Sequence, residues 1–334
     1  MPALEMRVTQ ETLQLAEPFR IATHVFETTP VILVTLDDGS SFGRGEASGV
    51  FFLGEDVESM IAQIENVRTQ IEASPTRQDL RSILPPGGAR SAIDNALWEL
   101  EARQAGKSVY ELAGVAAPRP LRTTFTLGAD TPEVMARKAE GMTGAKSIKV
   151  KLTGDLEIDI RRVQEIRAAR NDVWLGVDGN QGFRRGQLDA LVEALVANDV
   201  SLLEQPLARG CDHELEGFVS PIPVAGDESI LSLEDIRPAV GRFDVVNIKL
   251  DKCGGLTEGL MIVEEARRLG LGVMVGTMVG TSLATAPGHV LGQLCDLVDL
   301  DGPTFLAEDR TPSVTYTNGD LIVGSDVWGP LAEA

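Results

Sequence analysis

Residues 147–151, with the sequence Ser-Ile-Lys-Val-Lys, have the alternation of a β-strand, which directs Lys149 and Lys151 to one face and the aliphatic side chains to the other. Further apolar runs along the chain end in a charged residue, and the series of end residues is Lys151, Asp178, Glu204, Asp227 and Lys249. Their successive spacings are 27, 26, 23 and 22 residues. Each spacing has the length of one strand, one helix and two short loops, so the series predicts an α/β fold built on a (β/α)8-type barrel.

Eight short apolar runs supply the predicted barrel strands, and they are Thr123–Leu127, Ser147–Leu152, Val173–Asp178, Ser201–Glu204, Pro223–Ala225, Val245–Leu250, Gly272–Val275 and Leu297–Leu300. We therefore expect residues 121–310 to form the barrel and to carry the catalytic site. In such a barrel the carboxyl ends of the strands converge on one mouth. The charged residues that end the strands are thus predicted to share a pocket.

The chain before the barrel has a different pattern. Alternating segments at Met6–Ala16 and Val31–Leu36 predict antiparallel strands, and apolar residues at three- and four-residue steps in Val57–Ile71 and Ser91–Gln104 predict helices. Residues 1–120 are therefore expected to form an α+β capping domain. Residues 311–334 are expected to return to it, with a hairpin at Val314–Val323 that joins its sheet.

Composition disfavours several classes of partner. The 334 residues carry 50 acidic and 30 basic side chains, and the formal charge of −20 disfavours binding to nucleic acid or to anionic membrane surfaces. The three cysteines have no CxxC spacing, which argues against a disulfide framework and a zinc ribbon. Together with the lack of a secretion signal at the N-terminus, this favours a reducing, cytoplasmic location.

Three of the strand-end residues are acids that point to a metal. Asp178, Glu204 and Asp227 would repel one another at one mouth unless a divalent cation lay among them, and ligands that are all oxygen favour Mg²⁺ over Zn²⁺. Each acid alone has a simpler interpretation as the N-cap of the following helix. The three together at barrel spacing favour the magnesium site.

The lysines point to proton transfer. Lys151 and Lys249 would face each other across the barrel if the second and sixth strands are opposed, so that each could serve one face of a planar carbanion. A lysine that removes a proton must be neutral, and Lys149 and the metal, as positive neighbours, would lower its pKa. A metal-bound carboxylate could hold the developing charge of an enediolate.

These segments together resemble the enolase superfamily, in the muconate-lactonising subgroup that has a lysine on both the second and the sixth strand. The resemblance extends to the helix Ala92–Leu100 of the capping domain. It implies that Asp178, Glu204 and Asp227 bind Mg²⁺, that Lys151 and Lys249 are the acid/base pair, and that Lys149 supports them electrostatically. Homo-oligomers are common among similar barrels, and a small-molecule substrate is implied.

Asp299-Leu300-Asp301, at the end of the eighth strand, looks like the DxD motif of dipeptide epimerases. The resemblance implies that Asp299 and Asp301 bind the α-ammonium group of a dipeptide and that the enzyme inverts the α-carbon of the C-terminal residue. Within the superfamily, an N-acylamino-acid racemase, an o-succinylbenzoate synthase and a muconate cycloisomerase remain as alternatives. From another class, a non-catalytic barrel that serves as a binding protein remains, with its acids and lysines as structural ion pairs.

Two segments of the capping domain, Pro18–Thr28 and Ser48–Glu55, are expected to form loops that close over the mouth and set specificity. Dipeptide epimerases that act on Ala-Glu tend to place an arginine in the first loop, where this chain has Arg20, Thr23 and His24. These residues leave an acidic substrate side chain open, and the phenylalanines in both loops are compatible with an apolar pocket as well as with packing between the domains. The remaining predicted site residues are Thr277 and Met278, in contact with substrate, and Asn180 and Asp251, in contact with the metal ligands and catalytic lysines.

Overall fold

The N-terminal part of the chain is an antiparallel sheet covered by helices. The computed structural model describes residues 3–21, 24–115 and 118–330. Within them the sheet has the strand order β1 (Glu5–Arg20), β2 (Val25–Asp37) and β3 (Phe42–Ala47), and the helices are α1 (Val57–Glu72), α2 (Arg77–Ile83), α3 (Gly88–Ala105) and α4 (Val109–Leu112). A 3₁₀ turn, Phe51–Leu53, lies between β3 and α1.

Helix α3 packs against β3 so closely that two positions of the strand require glycine. A Cβ atom on Gly43 would lie 2.0 Å from the carbonyl oxygen of Ala96, and one on Gly45 would lie 2.0 Å from that of Ala92. Real Cβ atoms never approach an oxygen that closely. The helix is therefore buried along almost its whole length, and it forms the centre of the apolar core of this part of the chain.

The central part is the predicted barrel. Eight parallel strands follow one another in the sheet, namely β5 (Phe125–Leu127), β6 (Ser147–Lys151), β7 (Trp174–Asp178), β8 (Leu202–Glu204), β9 (Val224–Gly226), β10 (Val245–Lys249), β11 (Gly272–Gly276) and β12 (Leu297–Asp299). At the seam between the first and the last, the backbone N–H of Thr124 donates to the carbonyl oxygen of Val298 at 3.0 Å. The fold class predicted from the spacing is confirmed.

Helices and short turns connect the strands. The helices are α5 (Pro132–Gly141), α6 (Leu156–Ala169), α7 (Leu188–Ala197), α8 (Ile236–Ala239), α9 (Leu250–Cys253), α10 (Leu256–Arg268) and α11 (Ser282–Gly292), with 3₁₀ turns at Arg185–Gln187, Asp212–Leu215, Leu233–Asp235 and Gly302–Phe305. None of the helices in the described ranges has both the length and the apolar character needed to cross a bilayer.

The C-terminal hairpin forms at Asn318-Gly319 but does not join the N-terminal sheet. Its strands, β13 (Thr315–Thr317) and β14 (Asp320–Ile322), extend β4 (Leu121–Arg122), the short strand just before the barrel. Leu321 pairs with Leu121 and both are buried, so the hairpin covers apolar surface beside the segment that leads into the first barrel strand. The prediction of its sheet partner was wrong for that reason. Beyond the hairpin, the indole N–H of Trp328 donates to the carbonyl oxygen of Arg44 on β3 at 3.1 Å.

Candidate active site

Three buried carboxylates meet at the mouth of the barrel. Asp178 and Glu204 end β7 and β8, and Asp227 directly follows β9. Each offers one oxygen atom, and these three oxygens lie within 4.8 Å of one another. Burial raises the pKa of Glu204 to about 8, and Asp178 and Asp227 add to the rise although Lys149 opposes it. An all-oxygen cluster whose ionisation is this costly fits a hard divalent cation such as Mg²⁺.

Two lysines flank the carboxylates from opposite sides. Lys151 ends β6 and Lys249 ends β10, four strands apart in a barrel of eight, so the two strands are opposed. The Lys151 ammonium donates to Asp178 at 2.6 Å, and the Lys249 ammonium donates to Asp227 at 2.6 Å. Burial lowers the pKa of Lys249, but the attraction of Asp227 outweighs it and the pKa is raised.

Lys149 lies two residues before Lys151 on β6, so it is on the same face of the strand and deeper in the barrel. Its ammonium contacts Glu204 at 3.2 Å and Asp178 at 3.9 Å, and it forms a short ion pair with Asp299. The alternation of the strand therefore directs both lysines into the barrel, as expected. Lys149 supplies the positive charge at the floor that holds several carboxylates together.

The two acids of the DxD segment have different surroundings. Asp299 is bonded to Lys149 through one oxygen and to the hydroxyl of Thr124 through the other. Asp301 accepts a hydrogen bond from the backbone N–H of Thr126 at 2.6 Å. Burial raises the pKa of Asp301 to about 7, and the neighbouring carboxylate of Asp299 adds to the rise. Both side chains line the cavity at the mouth.

Three polar residues of the site were not predicted from the sequence. Lys252, on α9, is buried and donates to the carboxylate and to the carbonyl oxygen of Asp227. Asn247 donates to Glu204 at 2.8 Å, and Glu228 lines the cavity beside Asn180, which donates to it at 3.4 Å. A signal existed for Asn247, because it lies two residues before Lys249 and so on the same face of β10.

Glycine at the end of β11 leaves room for this network. A Cβ atom on Gly276 would lie 2.8 Å from the side-chain oxygen of Asn247 and 3.1 Å from the Cε atom of Lys249. Any other residue would push against Asn247 and Lys249. The segment that follows contributes Thr277 and Met278 to the cavity wall, where the sequence predicted them.

The cavity has a volume of about 290 Å³ and extends from the barrel mouth to the capping domain. Its outer wall is aromatic and aliphatic, and consists of Phe19, Ile21, Phe26, Phe51, Phe52, Met278, Val279 and Phe305. Phe19 contacts Phe305 with ring centroids 4.6 Å apart. The apolar pocket suggested by the phenylalanines of the two predicted loops is therefore present.

Two of the polar candidates of the first predicted loop, Arg20 and His24, do not line this wall. Pro18–Thr28 is largely strand rather than loop, because Phe19 pairs with Phe26 and Arg20 with Val25. Strand alternation then directs Phe19 and Ile21 into the cavity, and Arg20 is exposed on the other face. His24 is exposed and stacks on Phe26, with ring centroids 5.6 Å apart. Thr23 lies outside the described residues.

The hydrogen bonds of Asp251 join the two parts of the chain. One of its oxygens accepts hydrogen bonds from the backbone N–H groups of Ser48 and Gly49, at 2.9 and 3.2 Å. A second carboxylate, on the capping-domain side, makes the corresponding contact: Glu46 on β3 accepts hydrogen bonds from the backbone N–H and the hydroxyl of Thr281, at 2.8 and 2.6 Å. These buried carboxylates fix the end of β3 over the mouth of the barrel.

Comparisons with known proteins agree with this architecture. Residues 3–114 match the model of the mandelate racemase / muconate lactonizing enzyme N-terminal domain, and residues 134–322 match that of the enolase C-terminal domain-like family. The chain is 39% identical over 318 residues to the L-Ala-D/L-Glu epimerase of Escherichia coli K12, covering 95% of this chain and 98% of that protein.

Two solved structures are similar over nearly the whole chain. An enolase family member from Agrobacterium tumefaciens with homology to dipeptide epimerases, with bound sodium and L-Ala-L-Glu, superposes with a TM-score of 0.94 at 36% identity and covers 98% of this chain and 100% of its own. The dipeptide epimerase of Methylococcus capsulatus, in complex with Mg and L-Arg-D-Lys, has a TM-score of 0.89 at 28% identity, covering 97% and 98%.

Proposed function

Because this chain belongs to the mandelate racemase / muconate lactonizing enzyme family, we propose that it is an isomerase, a Mg²⁺-dependent dipeptide epimerase that inverts the α-carbon of the C-terminal residue. One observation carries the proposal: Lys151 and Lys249 flank a cluster of three carboxylates from opposed strands. A carbon held between two amines can lose a proton on one face and gain one on the other. That is the 1,1-proton transfer of an epimerase.

Each group of the site has a part in this reaction. Asp178, Glu204 and Asp227 would hold Mg²⁺, which would bind the substrate carboxylate and stabilise the charge of the enediolate. A cation bound to Asp227 would also weaken the attraction that raises the pKa of Lys249. That lysine would then give up its proton more readily, as a base must. Lys151 and Lys249 exchange roles with the direction of the reaction.

The DxD segment supports a free amine in the substrate. A bound ammonium group beside Asp301 would favour the ionised carboxylate and offset the burial that raises its pKa to about 7. The dipeptides bound by the two similar solved structures have such a group.

The three free cysteines, Cys211, Cys253 and Cys295, accord with the cytoplasmic location that we also propose.

Proton NMR in D₂O with Mg²⁺ tests the proposal. A pooled library of free-amine dipeptides should lose the α-proton signal of the C-terminal residue and leave the N-terminal α-proton unchanged. Addition of EDTA should stop the loss. The proposal would be refuted if no dipeptide lost the α-proton signal of its C-terminal residue.

A second candidate is an N-acylamino-acid racemase, and the surroundings of Asp299 favour it. Both oxygens of Asp299 are already bonded, to Lys149 and Thr124, so this acid has fewer lone pairs left for an ammonium group than a free carboxylate has. The Asp301→Asn variant separates the two functions. If the protein is a dipeptide epimerase, this variant should lose most of the kcat/KM for free-amine dipeptides. If it is a racemase, the parent protein and the variant should act equally well on N-succinylamino acids.

A further inference from the structure

The directions available to a substrate in this site determine which wall its side chain meets. An enediolate is planar, and the two lysines must face its two sides. Since β6 and β10 are opposed, the plane of the enediolate is perpendicular to the line that joins these two strands. The plane therefore extends from β8 toward β12. The carboxylate group takes the direction of the three acids, and the nitrogen takes that of Asp299 and Asp301. This argument rests on the proposed function.

The third substituent in that plane is the side chain of the C-terminal residue. Because the other two directions are taken, this side chain can only point along the barrel axis. Downward, the floor is closed by the buried side chains of Lys149, Glu204 and Asn247. Upward lies the capping domain. The side chain of the inverted residue therefore points at the part of the cavity wall that the capping domain supplies.

That part of the wall includes an aromatic cluster of Phe26, Phe51 and Phe52. The ring centroids of Phe26 and Phe51 are 5.3 Å apart, and those of Phe51 and Phe52 are 5.5 Å apart. Phe51 is 37% exposed, although its neighbours on the cavity side are apolar. A contiguous patch of apolar side chains at the mouth of a cavity, such as these three rings form, is typical of a surface that a ligand covers.

The charged side chains that line the cavity near the cluster are already engaged. Glu55 accepts hydrogen bonds from the backbone N–H groups of Val50 and Gly88, at 3.0 and 2.9 Å. Asp56 caps α1 by accepting from the backbone N–H of Ser59 at 2.8 Å. The cationic residues among the described lining of the cavity are Lys149, Lys151 and Lys249, all committed to the site below. Nothing in the described wall offers a partner to a charged substrate side chain.

We propose that this enzyme prefers dipeptides whose C-terminal residue has an apolar side chain, because Phe26, Phe51 and Phe52 receive that side chain at the capping-domain end of the cavity. An acidic side chain there would lose its hydration without gaining a cation, which is costly. A methionine or leucine side chain would bury apolar surface against the rings. The preference thus differs from that named for the similar Escherichia coli protein.

A series of dipeptides with side chains of similar length tests the preference. The kcat/KM for epimerisation is measured for L-Ala-L-Met, L-Ala-L-Gln, L-Ala-L-Glu and L-Ala-L-Lys. L-Ala-L-Met should exceed each of the others by at least about tenfold, the scale of discrimination in apolar pockets. If L-Ala-L-Glu or L-Ala-L-Lys is the best substrate, the apolar preference is overturned and the epimerase assignment stands. If none reacts, the apolar preference is overturned, and the pooled dipeptide library decides the epimerase assignment separately.

Variants of one short turn test where the side chain binds. Phe51→Ala should lower kcat/KM for L-Ala-L-Met at least about tenfold and leave L-Ala-L-Ala nearly unchanged, and Phe51→Leu should restore part of the loss. Leu53→Ala is the matched control, since Leu53 lies on the same turn, is 44% exposed and does not line the cavity. It should alter neither substrate. Equal losses for both substrates in Phe51→Ala would overturn the assignment of Phe51 to the side-chain pocket.

Discussion

The substitution Asp251→Asn removes a buried charge and keeps the hydrogen bonds that join the capping domain to the barrel. A single oxygen of Asp251 accepts both backbone N–H groups, and an asparagine oxygen can do the same. Burial raises the pKa of Asp251 from 3.8 to about 7, the N–H of Ser48 opposes the rise, and Glu55 and Glu46 add to it. Ionising this residue in the folded protein is therefore unfavourable.

The effect on stability has a definite sign. The unfolded chain releases the proton near pH 3.8 and the folded chain near pH 7, so the folded state binds more protons between these values. The contribution of Asp251 is most favourable below pH 3.8, declines as pH rises to about 7 and is constant above it. At about 1.4 kcal/mol per pH unit, the total cost is about 4 kcal/mol.

Urea unfolding at pH 5, 6, 7 and 8, followed by tryptophan fluorescence at a fixed Mg²⁺ concentration, measures this cost. Relative to the parent protein, Asp251→Asn should gain about 2.5 kcal/mol of unfolding free energy between pH 5 and pH 8. Other buried acids contribute equally to both proteins and cancel in the difference. A difference that does not vary with pH would show that Asp251 is not a carboxyl with a raised pKa.

Asp251→Ala is the control for the hydrogen bonds. It removes the acceptor of Ser48 and Gly49, and each of these buried or part-buried N–H groups that loses its partner costs about 1–3 kcal/mol. At pH 5, where the charge matters least, this variant should be less stable than Asp251→Asn. It should also raise KM more than it lowers kcat, because the segment that it releases leads into the aromatic cluster.

Three further outcomes follow from the geometry. Lys151→Ala and Lys249→Ala should each abolish inversion but still exchange the α-proton of one epimer with D₂O, a different epimer in each variant; NMR that finds both epimers exchanged by one variant contradicts the two-base arrangement. Asp227→Asn should lose most of the increase in Tm that Mg²⁺ gives the parent protein, and an undiminished increase would exclude Asp227 as a ligand. Gly276→Ala should lower kcat more than it raises KM, because the added methyl group pushes on Asn247 and Lys249; unchanged kinetics would mean that the strands yield without cost.

The reaction chemistry could be predicted because it depends on local rules. A strand of a barrel must end where its apolar run ends, and its last residue must then lie at the mouth. Spacing and alternation together therefore located Lys149, Lys151 and Asp178 without any knowledge of tertiary contacts. Lys252 was not predicted as a site residue, because it lies on a short helix after the strand, where the two-residue alternation of side chains no longer applies.

The substrate pocket could not be predicted to the same extent, and Arg20 shows why. The alternation that located Lys149 and Lys151 would have directed Arg20 away from Phe19 and Ile21, but only if β1 were known to continue past Pro18. That continuation depends on distant partners: Phe19 and Arg20 pair with Phe26 and Val25, and the carbonyl oxygen of Arg20 accepts the N–H of Ala129 at 2.8 Å. Contacts between the capping domain and the barrel, rather than the local pattern, thus decide which side chains meet the substrate. Substrate preference can therefore differ between chains whose catalytic residues are spaced alike, and the dipeptide series measures the part of function that the strand pattern leaves open.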